Sequence, residues 1–237
     1  MQKKLAGLTA GLVLFGMAGM ADAALTTIGT ATYNGSDYKL IWDDDNNGNS
    51  VIWLDYSNTP AVWSAQVAWA AGLDAALTYH VDAAYKVAWD DAAWRLPSTV
   101  DGPNKYGYDG STTAGYNITS SEMGHLYYDE LGNLGYLDPA GNSQAGFGLQ
   151  HTGDFDNLTD ESWWWSGTEN AADPVRAWAI YMPHGYQGYL VKSGSGVGLA
   201  IRSGQVSAVP VPAAIWLLGS GLTGMAVLRR RIKGKLV

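Results

Sequence analysis

The chain of 237 residues has no cysteine, and it has little positive charge. Without cysteine, disulfide bonds, thiolate metal sites and thiol catalysis are excluded, so packing alone, or packing with the help of a metal ion, must hold the fold together. Fourteen Lys and Arg stand against twenty-two Asp and Glu, for a formal net charge of −8. Because nucleic acid needs a basic surface and this sequence has no basic stripe, we expect no nucleic acid among its partners.

Charge is also missing from an apolar segment near each end of the chain. The first segment follows a pair of lysines, runs from Leu5 to Met20 and leads into a small-residue motif that includes Ala23. A basic start, a short apolar stretch and a small-residue cleavage site, in this order, are typical of a secretory signal peptide. The sequence therefore predicts a signal peptide at 1–24, cut by signal peptidase after Ala23 or Ala24. Its glycines and the cleavage motif disfavour a first transmembrane helix that is retained.

The second uncharged segment covers 209–228. As a helix of about twenty residues it would be roughly 30 Å long, enough to cross the hydrocarbon core of a bilayer. Arg229, Arg230 and Arg231 follow at once, within a basic tail at 229–237. Because basic residues stay on the cytoplasmic side, we expect the residues before the helix to face away from the cytoplasm. Hydrophobicity alone leaves open whether this helix is a permanent stop-transfer anchor.

The body between the two segments, 25–208, is acidic and rich in aromatic residues. It contains seven Lys and Arg and twenty-one Asp and Glu, a net charge of −14, together with ten tryptophans and fourteen tyrosines. This composition fits one soluble, extracytoplasmic domain with a substantial core and does not fit a disordered stalk.

Strand-like runs occupy both ends of the body. The runs DYKLIW and SVIWLD flank DDDNNGN, whose Asn47-Gly48 pair is a strong hairpin signal. Near the end of the body, WWWSGTE, RAWAIYM, YQGYLV and VGLAIR are separated by turn-rich spacers. These four runs predict an antiparallel meander that closes the domain.

The first predicted helix lies in NTPAVWSAQVAWAAGLDAAL. Thr59 can cap its N-terminus, with Pro60 at the first helical position. The face expected to be buried consists of Val62, Gln66, Trp69 and Leu73.

The second predicted helix lies in TSSEMGHLYYDELG. Thr119 and Glu122 have the spacing of a capping box, and Gly132 stands where a C-terminal cap belongs. The apolar stripe consists of Met123, Leu126, Tyr127 and Leu131. Strands, two helices, a loop region and further strands make an α+β order rather than the βα alternation of a parallel sheet.

Several motifs occur together along the body: VIWLDYS, WRLPSTVDG, SSEMGHLYYDELGN, GDFDNLTDESWWWSGTE and GLAIRSG. In this combination, from about Tyr38 to Ser203, the body resembles a family of bacterial exported domains related to the C-terminal domain of a collagen-like adhesin. It is more distantly similar to the sulfatase-modifying branch of the C-type lectin-like fold. The resemblance implies a single C-type lectin-like domain. The formylglycine-generating enzymes of that branch depend on cysteines, so their activity does not carry over and a binding or structural role is implied.

The C-terminal segment VPVPAAIWLLGSGLTGMAVLRRR resembles a PEP-CTERM sorting signal, with a short Pro-containing motif, a hydrophobic helix and an arginine cluster. The motif here is Val209, Pro210 and Pro212, with Val211 where the family has Glu. The resemblance implies that an exosortase in the inner membrane recognises the motif, cuts near it, and releases or transfers the body. The helix at 209–228 would then anchor the protein in the membrane only until the body reaches the cell surface or extracellular matrix.

The run DDDNNG matches the first half of a calcium-binding loop. Its candidate ligands are Asp43, Asp45 and Asn47, because acidic or amide oxygens at alternate positions followed by glycine are typical of such loops. The twelfth position falls on Leu54, and the nearest acid, Asp55, is one place out of register. Calcium is one hypothesis and a solvated hairpin turn is the alternative; no other cofactor is expected.

Aromatic residues are the candidates for ligand binding, since indole and phenol rings stack on the faces of sugars. The candidates are Trp164, within a run of three tryptophans, and Tyr186 and Tyr189, in PHGYQGY. Successive residues of a strand point to opposite faces. In the alternative arrangement Trp163 and Trp165 fill the core, and Trp164 covers it or lies at an edge.

The sequence contains no catalytic motif. Glu122 and His125 are three residues apart on a predicted helix, but one Glu and one His do not make a site. We therefore expect a non-enzymatic surface or biofilm-matrix protein that binds polysaccharide. An enzyme acting on surface polysaccharide is one alternative, and it requires a pair of carboxylates in one Trp-lined groove. The candidates for that pair are Glu122, Glu161, Asp154 and Asp156. A structural surface protein stiffened by calcium is the other.

Overall fold

The computed structural model describes residues 25–160 and 162–210. The predicted signal peptide at 1–24, the basic tail at 229–237 and all of the predicted sorting helix after Pro210 lie outside the described residues. So do the predicted processing residues Ala23, Ala24, Pro212, Arg229, Arg230 and Arg231. Within the described ranges, no helix is both long and apolar enough to cross a membrane.

The fold opens with three antiparallel strands: β1 (Thr26–Tyr33), β2 (Ser36–Asn46) and β3 (Asn49–Ala61). Asn47 and Gly48 form the turn between β2 and β3, with φ angles of 52° and 80°. Two turn residues of positive φ match the twist of the flanking strands, and Asn-Gly is a preferred sequence for them. Asn46 pairs with Asn49 across the turn, so the predicted hairpin is confirmed.

Helix α1 (Trp63–Ala76) begins later than the sequence predicts. Thr59 and Pro60 belong to β3, which extends to Ala61 because it pairs there with Gly196. The predicted cap at Thr59 is therefore wrong, since pairing with a distant strand decides where the helix starts. The buried face consists of Gln66, Ala70 and Leu73, whereas Trp69 is partly buried and Val62 is exposed.

Helix α2 (Glu122–His125) is short and continues into one π-helical turn, Leu126–Glu130. Its cap is Ser121, whose hydroxyl accepts a hydrogen bond from a backbone N–H of the first turn at 3.0 Å, so the predicted cap at Thr119 is wrong. Gly132 has a φ of 62°, which confirms the predicted C-terminal cap. The predicted stripe is also buried, and it comprises Met123, Leu126, Tyr127 and Leu131.

The remaining strands are β4 (Thr78–Val81), β5 (Tyr85–Trp89), β6 (Tyr106–Gly107), β7 (Ala114–Gly115), β8 (Trp163–Glu169), β9 (Arg176–Tyr181), β10 (Tyr186–Val191) and β11 (Gly196–Ala208). They complete one sheet of order β4-β1-β2-β3-β11-β8-β9-β10-β7-β6 over the described residues, with β5 paired to β11. Strands β8, β9 and β10 form the predicted antiparallel meander. Strand β11 does not extend it; it lies antiparallel to β3 and touches β8 in parallel. The chain is thus an α+β protein, as predicted.

Both faces of the sheet are covered, so neighbouring residues of one strand enter two separate cores. The core on the α2 side includes Ile41 and Trp164. The core on the α1 side includes Leu40 and Trp165. Because successive residues point to opposite faces, a run of apolar residues can be buried without a break.

Candidate ligand-binding surface

The three consecutive tryptophans of β8 do not place the expected ring at the surface. Trp164 is 0% exposed in the core on the α2 side. Trp165 is 0% exposed in the other core, and its Nε1 donates to the Ala61 carbonyl at 3.0 Å. Because both faces of β8 are covered, the prediction that Trp164 stacks on a ligand is wrong. Trp163 is the partly exposed ring, and its centroid lies 5.1 Å from that of Tyr181.

The two predicted tyrosines of β10 lie on opposite faces of the sheet. Tyr186 pairs with Tyr181, whereas Tyr189 pairs with Trp178. The Tyr189 ring stands edge-on to the buried Trp178, 5.7 Å between centroids, and the guanidinium of Arg176 lies 5.1 Å from its centre. Tyr186 instead joins a larger group of aromatic side chains. The structure therefore separates these two candidate residues.

Tyr186 belongs to a continuous surface of aromatic rings, which we call the aromatic patch. Its members are Tyr106, Tyr108, Tyr116, Tyr136, Phe147, Trp163, Tyr181, His184 and Tyr186. Neighbouring centroids lie 5.0 to 6.4 Å apart, a spacing typical of aromatic pairs. The rings come from the segment between β5 and β8, which includes the short strand β6, from the start of β8 and from the β9–β10 hairpin. The patch thus unites segments that are far apart in the chain.

The aromatic patch has an exposed rim and a buried base. Tyr106 is 49% exposed, Tyr108 38% and Tyr136 37%, whereas Tyr116 is only 7% exposed. Burial and the neighbouring tyrosines raise the pKa of Tyr116 to about 12. Burial also raises the pKa of Tyr106. These hydroxyls are therefore neutral at physiological pH, and each can both donate and accept a hydrogen bond.

Close backbone contacts hold the loops of the aromatic patch together. Gly115 in β7 has a φ of 125°, and a Cβ at this position would overlap the carbonyl oxygen of Gly107 in β6. Asn117, with a φ of 58°, donates from Nδ2 to the carbonyls of Tyr108 at 2.6 Å and Leu137 at 3.0 Å. One amide therefore ties together the two loops that carry the exposed rim.

Two carboxylates follow rim tyrosines in the chain, and the first is exposed while the second is partly exposed. Asp109 comes directly after Tyr108 and accepts hydrogen bonds from the hydroxyl and N–H of Ser111 at 2.6 and 3.1 Å. Asp138 accepts a hydrogen bond from the Asn142 N–H at 2.8 Å. These hydrogen bonds lower the pKa of both carboxyl groups. The loops of the rim therefore offer ionised acceptors beside the rings.

The predicted calcium ligands are not brought together. Asp43 is 0% exposed, and its Oδ2 accepts hydrogen bonds from Asn46 Nδ2 at 2.8 Å and from Trp53 Nε1 at 3.1 Å. Asp45 is exposed and accepts a hydrogen bond from a turn N–H at 3.0 Å, while Asn47 occupies the turn itself. The tight hairpin thus buries the first ligand and exposes the other two. In the described part of the chain, no three His, Asp or Glu side chains are grouped as metal ligands.

The acids of the enzymatic alternative are held by separate partners. The Glu122 carboxylate accepts hydrogen bonds from both Nη atoms of Arg95, at 2.6 and 2.7 Å. Asp154 accepts two hydrogen bonds from a threonine of β1, and Asp156 pairs with a lysine of β2 at 2.7 Å. Glu161 lies outside the described residues. Each described carboxylate thus has a structural partner of its own.

Glu122 and His125, which share a predicted helix but were not expected to form a site, have different partners, because His125 faces other carboxylates. Its Nδ1 lies 3.1 Å from Asp129 and its Nε2 lies 3.2 Å from Glu130. Burial and the charge of Asp43 raise the pKa of Glu130 to about 7, against the opposing effect of His125. Asp43, His125 and Glu130 therefore form a polar cluster beneath α2.

Sequence reasoning missed most of the aromatic patch. Tyr108 and Tyr136 lie in loops, and Tyr106 begins the two-residue strand β6, so none of the three rim residues belongs to a periodic pattern. The one available signal was the repeated placing of tyrosine beside glycine, as in KYGYDG and LGYLD.

Comparisons of the chain with protein-family models, with curated proteins and with solved structures find no match.

Proposed function

We propose that this chain is an exported, non-enzymatic protein of the cell surface or biofilm matrix, and that it binds polysaccharide through the aromatic patch. The observation that carries this proposal is a continuous set of rings in which three tyrosines are more than one-third exposed. Contiguous exposed apolar surfaces of this kind are typical of interaction sites. The rings can stack on the apolar faces of sugars, and the tyrosine hydroxyls can exchange hydrogen bonds with sugar hydroxyls.

Charge favours neutral glycans over anionic ones as the ligand. The body carries a net charge of −14, and on the loops of the rim Asp109 is exposed and Asp138 is partly exposed. Such a surface repels acidic polysaccharide, whereas the hydroxyls of neutral sugars can donate hydrogen bonds to carboxylates.

We also propose the finer fold and the route of export. A C-type lectin-like domain is supported by the resemblance of the body, by its α+β sheet with two helices, and by the position of the aromatic patch on loops. Export with transient anchoring is supported by the sequences of the two ends. The sorting motif would follow the last strand directly, since the Val209 N–H still donates to the Ala84 carbonyl at 2.8 Å and Pro210 is exposed.

Mass spectrometry of the mature protein tests the route of export. We expect an N-terminus at Ala24 or Leu25 and a chain that ends before Arg229. A mature protein that retains its tail through Val237 would refute cleavage by an exosortase and identify a permanent anchor.

A glycan array probed with the full chain tests the ligand. Replacing Tyr106 or Tyr136 with Ala should lower the affinity for a bound neutral glycan by about threefold to tenfold, because each change removes one stacking ring. Tyr106→Phe keeps the ring and should lose less. Tyr85→Ala, on β5 and outside the aromatic patch, is the control and should bind like the wild type. No binding to any neutral glycan, or equal binding by wild type and patch variants, would refute the proposal.

A further inference from the structure

Three buried oxygen atoms beneath α2 have no hydrogen-bond partner among the described residues. They are Asp43 Oδ1, Asn46 Oδ1 and Glu130 Oε2. Asp43 and Asn46 are 0% exposed, and the side chain of Glu130 is 1% exposed. Native proteins seldom leave a buried acceptor unpaired because it loses its hydration without compensation. Three such atoms in one polar cluster therefore require a common explanation.

The hydrogen bonds of Asn46 fix the orientation of its amide. Nδ2 donates to Asp43 Oδ2 at 2.8 Å and to the Glu122 carbonyl at 3.2 Å. Turning the amide over would place its oxygen against these two acceptors, so Oδ1 must be the atom without a partner. Trp53 Nε1 donates to the same Asp43 Oδ2 at 3.1 Å. The side-chain donors of Asn46 and Trp53 thus both reach Oδ2, and Oδ1 has no hydrogen-bond partner.

The basic side chains nearby already contact carboxylate oxygens other than these three atoms. His125 contacts Glu130 Oε1 with one ring nitrogen and Asp129 with the other, at 3.2 and 3.1 Å. The guanidinium of Arg95 is held by Glu122. When both carboxyl groups are ionised, the three bare oxygens are all acceptors and cannot satisfy one another. A proton on Glu130 would supply a donor for only one of the other two, whereas a cation from outside the chain would satisfy all three together.

We propose that Asp43 Oδ1, Asn46 Oδ1 and Glu130 Oε2 are ligands of a buried calcium ion that joins the β2–β3 hairpin to α2. Calcium prefers carboxylate and amide oxygens and accepts water in its remaining positions, whereas magnesium demands a near-ideal octahedron. Only two of these ligands are acidic, in keeping with the absence of a three-acid group from the described residues. Few charged ligands favour the weak affinity of extracellular modules, about 10⁻⁴ to 10⁻³ M. Asp45 and Asn47, expected as ligands from the sequence, take no part.

Thermal unfolding of the full chain in chelator and in calcium tests this site. A ligand that binds only the folded state raises its Tm, here by about 5–10 °C when calcium is a hundredfold above its Kd. Isothermal titration should show one calcium ion per chain, and magnesium should raise the Tm less. An unchanged Tm in calcium would overturn the proposal.

Two isosteric variants locate the ion, and a third serves as the matched control. Asp43→Asn and Glu130→Gln should lose the calcium response, yet in chelator they should be at least as stable as the wild type, because each removes a buried charge. Asp45→Asn changes an exposed carboxylate of the same hairpin and should keep the full response. Loss of the response in Asp45→Asn alone would place calcium in the hairpin loop and overturn the proposal. A full response in both buried variants would also overturn it. Glycan binding plays no part in this test, so the two proposals can fail separately.

Discussion

Replacing Glu122 with Gln should weaken the contact between α2 and the segment that carries Arg95. Glu122 is 8% exposed, and its carboxylate accepts hydrogen bonds from Arg95 Nη1 and Nη2 at 2.6 and 2.7 Å and from the Ser98 N–H at 2.5 Å. Glutamine keeps the volume of the side chain but places an NH2 group where one carboxylate oxygen of Glu122 accepts hydrogen bonds. That NH2 would face donors, so at least one charge-assisted hydrogen bond is lost and the pair loses its charge complementarity.

The expected loss of unfolding free energy follows from how deeply Glu122 and Arg95 are buried. Breaking a fully buried ion pair costs about 3–5 kcal/mol, and losing one hydrogen bond to a charged group costs about 1.5–3 kcal/mol. The side chain of Arg95 is 38% exposed, so its guanidinium regains part of its hydration when Glu122 is neutral. We therefore expect Glu122→Gln to lower the free energy of unfolding by about 2–3 kcal/mol, or the Tm by roughly 5–10 °C.

Urea unfolding followed by tryptophan fluorescence measures this loss, and a double variant isolates the pair. If the two side chains act mainly on each other, Glu122→Gln with Arg95→Met should cost less than the sum of the single changes. Glu169→Gln is the matched control, because its partner Lys192 and its own half-exposed carboxylate form a surface ion pair worth less than about 1 kcal/mol. A Glu122→Gln variant within about 0.5 kcal/mol of wild type, or strictly additive losses, would refute this reasoning.

Three further changes test the pH dependence, the aromatic patch and the attachment of α1. The folded state raises the pKa of Tyr116 from 10.0 to about 12. The contribution of this group to the free energy of unfolding should therefore be constant below pH 10 and fall by about 1.4 kcal/mol per pH unit between pH 10 and pH 12. Urea unfolding measures the free energy, and phenolate absorbance measures the ionisation of tyrosine. Gly115→Ala should lower the free energy of unfolding by more than about 2 kcal/mol and weaken glycan binding, because the new Cβ would overlap the Gly107 carbonyl oxygen. Gln66→Leu should lower the free energy of unfolding by about 3 kcal/mol, because the carbonyls of Thr59 and Gly196 lose the hydrogen bonds that Gln66 Nε2 donates to them at 2.8 and 2.9 Å.

Each of these three expectations has a clear contrary result. Tyrosine ionisation complete near pH 10 while the protein stays folded would contradict the buried state of Tyr116. Wild-type stability of Gly115→Ala would show that β6 and β7 can separate without loss. A Gln66→Leu variant as stable as the wild type would mean that apolar packing replaces the amide, and Ser64→Ala on the exposed side of the same helix provides the baseline.

The parts of the fold that the sequence predicts well are those that local backbone preferences determine. Asn47-Gly48 requires positive φ at both residues, and that requirement alone indicates a hairpin. The cap expected at Thr59 fails for the opposite reason, because pairing with Gly196 draws these residues into β3. A preference of less than about 1 kcal/mol per residue cannot outweigh the formation of a long ladder of strand pairs.

The candidate sites depend on contacts between distant segments, which no local pattern reports. Trp164 was the expected ligand-binding ring, but its exposure is decided by helices and loops that cover both faces of β8. The polar cluster brings Asp43 of β2 close to Glu130, which ends the π-helical turn after α2. The sequence motif therefore indicated one of the proposed calcium ligands and not the other two. The aromatic composition indicated a ligand-binding surface made of aromatic rings, but it did not indicate which rings form that surface.

Strand β11 stands in the middle of the sheet although it is the last strand of the body. It lies between β3 and β8, so neither half of the sheet has its inner neighbour until residues 196–208 are available. Pairing over such sequence separations is slow, and the upstream strands keep open edges in the meantime. The two halves of the sheet are therefore joined only at the end of synthesis of the body. If the chain is exported as we propose, completion of the sheet follows export of residues 196–208.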